Sequence, residues 1–179
     1  VIDVGGADHH GYVPRVRAAL RALGYPDDFF HVTVVQLVKV LRGGDEVKMS
    51  KRSGEFVTLR DLVDEVGPDA ARYFFLMRRG DSQLNFDLDL AKSQTEENPV
   101  FYVQMAHARM SGIFRVAGVA PEAVDADVRL DALPAPEDRE LLKKLTAFPE
   151  VTARAARDLE PNKITGYLEE LARLAHGWY

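Results

Sequence analysis

The sequence predicts an α/β opening with a parallel sheet, followed by a mostly α-helical second half. Three observations predict it. A short β-branched run breaks at paired glycines. A helical stripe then leads straight into a second β-branched run. From Thr58 onward, helical spacing punctuated by proline and glycine takes over.

Residues 1–4 are apolar and largely β-branched, and the break at Gly5-Gly6 reads as a buried strand end followed by a turn. Residues 12–23 place Val13, Val16, Leu20 and Leu23 at helical spacing, with Gly24 in the stop position. Residues 29–41, rich in Val32, Thr33, Val34 and Val35, read as strand. Strand, helix, strand in this order is a crossover unit. Ligands of open α/β sheets sit beyond the carboxyl ends of the strands, where residues 5–10 would lie.

Residues 59–66 read as a short helix stopped by Gly67, and Pro68-Asp69 opens a second helix running to Gly80. Asn98-Pro99 is a strong start signal for a long helix ended by Gly118, with Val103, Ala106, Met110, Ile113, Phe114 and Ala117 on one face. Residues 119–136 are acidic and proline-bearing and read as a surface loop. Two helices broken near Pro149 follow. Asn162 is expected to cap a last one with the stripe Ile164, Tyr167, Leu168, Leu171, Leu174 and Trp178.

At 46% hydrophobic and 28% charged residues, the 179-residue chain has ordinary globular composition, enough for one large domain or parts of two. No apolar run approaches the ~20 residues of a membrane span. Nothing at the front reads as a signal peptide, there is no initiator methionine, and residues 1–4 look like the middle of a strand. The chain is therefore expected to be a stretch of a longer protein. The absence of cysteine excludes disulfides and thiolate metal sites. A net charge of −5 argues against indiscriminate nucleic-acid binding but permits a local basic stripe.

The most informative run is residues 46–54, in which Lys48, Ser50 and Lys51 are flanked by Gly43, Gly44 and Gly54. Ammonium groups on such a segment suit a polyphosphate whose leaving oxygens gain charge. Lys48-Met49-Ser50-Lys51 resembles the KMSKS signature of class I aminoacyl-tRNA synthetases, with Arg52 where serine is frequent. Four other words narrow the likeness. They are Gly6-Ala7-Asp8-His9-His10-Gly11-Tyr12, residues 64–75, residues 84–91, and Asn98-Pro99-Val100-Phe101-Tyr102-Val103-Gln104-Met105-Ala106-His107-Ala108-Arg109. In this order and spacing they resemble the bacterial type of arginyl-tRNA synthetase.

The resemblance implies the C-terminal part of a Rossmann-type catalytic domain over residues 1–58, a helical stem over 59–97, and an incomplete anticodon-binding helical bundle over 98–179. It implies catalytic roles for Lys48, Met49, Ser50 and Lys51, and ATP contacts from Gly6, Asp8, His9, Lys48, Ser50 and Lys51. It further implies tRNA contacts from Gln104, His107, Arg109 and Arg115. The substrates would be arginine, tRNA and ATP with Mg²⁺. No resident metal and no membrane partner are expected, and the parent enzyme would be a cytoplasmic monomer. Gly5 stands where an aromatic residue is expected. No His-x-Gly-His signature occurs in the 179 residues, so the chain should not aminoacylate alone.

Two other readings stay open at this stage. Asp8-His9-His10 also resembles the metal-binding triplet of DHH-type phosphoesterases, although no second acidic pair stands at suitable spacing. Alternatively, the bundle from residue 98 to 179 could be a non-catalytic tRNA-binding module. Within it Lys143, Lys144, Arg154 and Arg157 form the nearest approach to a basic stripe, diluted by Glu140, Glu150 and Asp158.

Overall fold

A computed structural model describes residues 1–47, 57–124, 129 and 133–179. The chain is mostly helical, with two small sheets near its start. The first sheet is the expected crossover unit. Strand β1 (Ile2–Gly6) passes through a 3-10 turn (Ala7–Tyr12) into α1 (Val13–Ala22), and β2 (His31–Val35) returns parallel to β1 with Ile2 opposite His31 and Gly6 opposite Val35. Strand β1 is exposed rather than buried, and it runs through Gly5 and Gly6 instead of breaking there, because both glycines still pair with β2. Helix α1 ends as its punctuation predicts: the Gly24 and Tyr25 amides donate to the Arg21 and Leu20 carbonyls.

The run read as one strand over residues 29–41 is two strands in two sheets. After β2 the Gln36 amide donates to the Gly80 carbonyl at 2.8 Å, and Leu37 projects outward at 79% exposure. The chain then enters β3 (Val38–Arg42), which pairs antiparallel with β4 (Asp45–Glu46) and parallel with β5 (Leu84–Asp87). A period-2 apolar pattern continues across both strands, so nothing in it marks the change of partner. Strand β5 was not anticipated, because residues 59–97 read as helical throughout.

Helices α2 (Leu59–Val66) and α3 (Pro68–Leu76) precede β5, and α4 (Leu88–Lys92) follows it. Thr58 and Asp61 form a reciprocal capping box at the start of α2, and the Asp87 carboxylate caps α4 by accepting from Asp89 and Leu90 amides. Helix α3 stops at Leu76 rather than running to Gly80. The main core lies where β3, β5 and these three helices meet. Phe86 and Leu88 are wholly enclosed there, among Val40, Leu62, Ala71 and Phe74. The Phe74 and Phe86 rings pack with centroids 5.2 Å apart.

The second half is a bundle of α5 (Pro99–Ala117), α6 (Pro136–Thr146), α7 (Phe148–Asp158) and α8 (Asn162–Trp178). Asn98 is 3% exposed and caps α5 by accepting from the Val100 amide, while its amide group donates to the Ala91 and Ser93 carbonyls. Small side chains let α5 and α8 approach closely, with Ala106, Ala172 and Ala175 at the contact and Tyr102, Val103, Met110 and Leu141 packed around them. The stripe read for α8 is half right: Tyr167 is buried, but Trp178 is exposed and alanines carry the tightest contact. Asn162 is not the cap of α8. Pro161 holds that position, and the Asn162 Oδ1 is buried without a partner among the described residues.

Candidate functional site

Gly5 and Gly6 end β1 at the carboxyl end of the parallel pair, and the 3-10 turn follows them. A Cβ at Gly6 would lie 2.6 Å from the Asp8 Oδ1, so a larger residue there would displace that exposed carboxylate. Asp8 and His9 follow on the 3-10 turn, with His9 Nε2 3.5 Å from an Asp8 oxygen and both side chains exposed. His10 instead turns back onto its own loop, where its Nδ1 lies 3.0 Å from the Ala7 carbonyl. A hollow of about 260 Å³ opens beside this turn, lined by Asp3, Gly5, Gly6, His9 and Tyr12. A Cβ at Gly5 would meet nothing within 4 Å, so this position leaves the wall of the hollow open.

Asp8, His9 and His10 belong to no group of three or more His, Asp or Glu side chains able to hold a metal ion among the described residues. His9 lies beside Asp8 while His10 turns back to the Ala7 carbonyl, so the three side chains do not converge as metal ligands would.

The lysine segment itself, with Lys48, Met49, Ser50, Lys51 and Arg52, lies outside the described residues. Both of its flanks are described. On the entry side, β3 and β4 form a tight hairpin whose turn is Gly43 (φ 60°) and Gly44 (φ 85°), a left-handed pair that only glycine adopts cheaply. The Val47 amide then donates to the Val40 carbonyl at 2.8 Å. On the return side, Thr58 opens α2.

Three contacts tie the hairpin, α2 and α4 to one another, and a fourth lies within the hairpin. Arg42 Nη2 and Lys92 Nζ each reach a different oxygen of Glu65 at 2.7 Å. The Gly43 amide donates to Asp89 at 2.7 Å, and Lys39 pairs with Glu46 at 2.9 Å. The hydrogen bond from Lys92, more than the nearby charge of Arg42, holds the Glu65 carboxyl below the ordinary glutamate range. None of these carboxylates was singled out from sequence. Arg42 and Glu65 stand 23 positions apart, and Gly43 and Asp89 stand 46 apart, so no local spacing could flag them.

In the bundle, Gln104, His107 and Arg115 of α5 are exposed, as their spacing predicts, and Gln104 makes one long contact to Asp69 at 3.5 Å. Arg109 behaves differently. It is partly buried, with its guanidinium 2.7 Å from the His176 Nδ1 and 5.4 Å from the centre of the Tyr179 ring. His176 Nε2 lies 3.0 Å from the Tyr102 carbonyl. The imidazole is therefore the neutral tautomer that accepts at Nδ1 and donates at Nε2. The supposed basic stripe is largely neutralised in the fold. Lys143 pairs with Glu140, Lys144 with Glu170 and Arg154 with Glu150.

Residues 103–179 match the DALR anticodon binding domain. The whole chain is 55% identical to the arginine–tRNA ligase of Citrifermentans bemidjiense and covers 32% of that protein. It superposes, over 99% of its length and at 34% identity, on 38% of the crystal structure of a protein assigned as arginyl-tRNA synthetase from Campylobacter jejuni, with a TM-score of 0.86. The Thermus thermophilus arginyl-tRNA synthetase shares the fold at a TM-score of 0.72 and 24% identity, over 99% of this chain and 32% of that one. A helical bundle of the anticodon-binding class thus occupies the second half. Along its whole length the chain is similar to arginine–tRNA ligases. It spans about a third of the length of the curated relatives it matches. Among the described residues, no helix is long and apolar enough to cross a membrane.

Proposed function

We propose that this chain supplies the pyrophosphate side of the active site and the RNA-holding bundle of a cytoplasmic arginine–tRNA ligase. The observation that carries the reading is the likeness of the whole chain to about a third of the length of arginine–tRNA ligases, joined to a pair of glycines at the carboxyl end of a parallel strand pair. In this reading residues 1–58 are the C-terminal part of a Rossmann-type catalytic domain, residues 59–97 the stem, and residues 98–179 the anticodon-binding bundle.

The chemistry follows from charge. A carboxylate oxygen of arginine forms a bond to the α-phosphorus of ATP while the bond to the β-phosphate oxygen breaks, and pyrophosphate leaves. Lys48 and Lys51 neutralise the charge gathering on the departing phosphates, Ser50 adds a hydrogen bond, and Met49 spaces the two. Gly6 lets the nucleotide approach the backbone, and Asp8 and His9 offer an acceptor and a donor to its ribose. Magnesium enters with ATP as part of the substrate. A tRNA terminal hydroxyl then takes the arginyl group and AMP leaves, while the bundle holds the RNA.

The test replaces the matching stretch of the Citrifermentans bemidjiense relative with residues 1–179 and measures arginine-dependent exchange of pyrophosphate into ATP. The graft should exchange and the 179-residue chain alone should not. Lys51→Ala should slow adenylate formation by roughly 10²–10³-fold, the effect of deleting one transition-state charge partner. An inactive graft, or an unchanged single-turnover rate in Lys51→Ala, would overturn the reading.

A further inference from the structure

We infer that Glu65 and Asp89 are positioning residues for the lysine segment, holding the hairpin before it and the helix after it at a fixed separation. The inference rests on the ligase reading above.

The chain enters the segment from β4 and returns through Thr58 into α2. Glu65, in the last turn of α2, accepts from Arg42 beside the hairpin turn and from Lys92 on α4, both at 2.7 Å. Asp89, on α4, accepts from the turn amide of Gly43 at 2.7 Å, and Lys92 Nζ lies 3.9 Å from its carboxylate. Helix α2, the β3–β4 hairpin and α4 thus form a triangle, and a charged contact spans each side.

Beneath the triangle lie Val40, Leu62, Phe86 and Leu88, all in the core. A packed floor of this kind does not yield continuously, so the charged contacts above it fix one geometry rather than a range. Stability alone is a weak reason for the cluster. Exposed ion pairs contribute little, and the Arg42 and Asp89 side chains are 55% and 54% exposed. Its location supplies the stronger reason. A cation that stabilises a leaving oxygen must sit within hydrogen-bond reach of it, and a misplacement of about 1 Å costs on the order of 10²-fold in rate. Lys48 follows Glu46 by two positions in the sequence, so this hairpin is where the chain enters the lysine segment.

Glu65→Gln keeps the shape of the side chain and removes its charge, and Asp89→Asn does the same at the turn. Each is made in the grafted full-length enzyme. Arginine-dependent pyrophosphate exchange should show kcat reduced about tenfold and KM for ATP raised, with KM for arginine unchanged and the thermal midpoint moved only slightly. The double variant should lose little more than either single one, because both act on the same geometry. Wild-type kcat in both variants overturns this inference alone. So does a loss that appears equally in KM for arginine and in the thermal midpoint, since that marks general damage. A wild-type graft without arginine-dependent exchange overturns the ligase reading and this inference with it.

Discussion

The hydroxyl of Tyr73 on α3 donates to the Glu169 carboxylate on α8 at 3.1 Å and also lies 3.3 Å from the Thr165 carbonyl. One phenol thereby joins the sheet-bearing half of the molecule to the helical bundle. Burial, reinforced by the Glu169 charge, pushes this hydroxyl above the ordinary tyrosine range. Its folded value is raised, so the stabilisation is complete below the unfolded pKa near 10 and is lost as pH rises beyond it. Tyr73→Phe should cost about 1–2 kcal/mol, the charge-assisted bond being worth more than a neutral one. Thermal unfolding at neutral pH should show the midpoint lower by roughly 2–8 °C.

Asn98 tests the junction between α4 and α5. Its side chain accepts from the Val100 amide and donates to the Ala91 and Ser93 carbonyls in a buried setting. Asn98→Ala removes the cap and leaves those groups without partners, at a cost of roughly 2–3 kcal/mol by denaturant titration. Asn98→Asp retains the acceptor but faces two carbonyls with a carboxylate. It should also destabilise, and the loss should shrink as the pH is lowered and the carboxylate protonates.

Glu65 predicts an acid-sensitive component. Its folded pKa is depressed, by the Lys92 hydrogen bond first, so the stabilisation is present above the unfolded value and is lost as pH falls through the folded one. Unfolding free energy measured from about pH 7 down to pH 3 should fall less steeply in Glu65→Gln than in the parent. The difference should be about 1 kcal/mol or less, the scale of partly exposed pairs.

Arg109 and Arg115 should separate cleanly. Arg109 is engaged by His176 and Tyr179, so Arg109→Ala should lower stability by about 1 kcal/mol. Arg115 is exposed, and Arg115→Ala should leave stability within about 0.5 kcal/mol of the parent. If the bundle holds tRNA through α5, the same change should weaken tRNA binding by filter or titration assay and reduce its salt slope by about 1.

What the sequence made legible is what neighbouring residues decide. Gly24 stops α1, Asn98 and Gly118 bound α5, and the crossover of β1, α1 and β2 follows from a change of period within 35 positions. What stayed hidden depends on partners far along the chain. The break between β2 and β3 is set by Gly80, and β5 is a strand because β3 lies beside it. Asn162 has the chemistry of a cap, yet Pro161 takes the position. The site divides in the same way. The lysine signature and the glycine turn are local words, whereas Glu65, Asp89 and the neutralising partners of Lys143, Lys144 and Arg154 emerge only when helices meet.

No residue ahead of Val40 is buried, so β1, α1 and β2 make a lobe with almost no interior of its own. Its hold on the remainder includes the main-chain link from Gln36 to Gly80. Such a lobe should open ahead of the rest of the molecule, exchanging its amide protons with solvent at far smaller free energies than those around Phe86. Among the described residues, the turn of residues 7–12 should loosen together with that lobe, and any ligand that binds only its ordered form would tighten it by mass action.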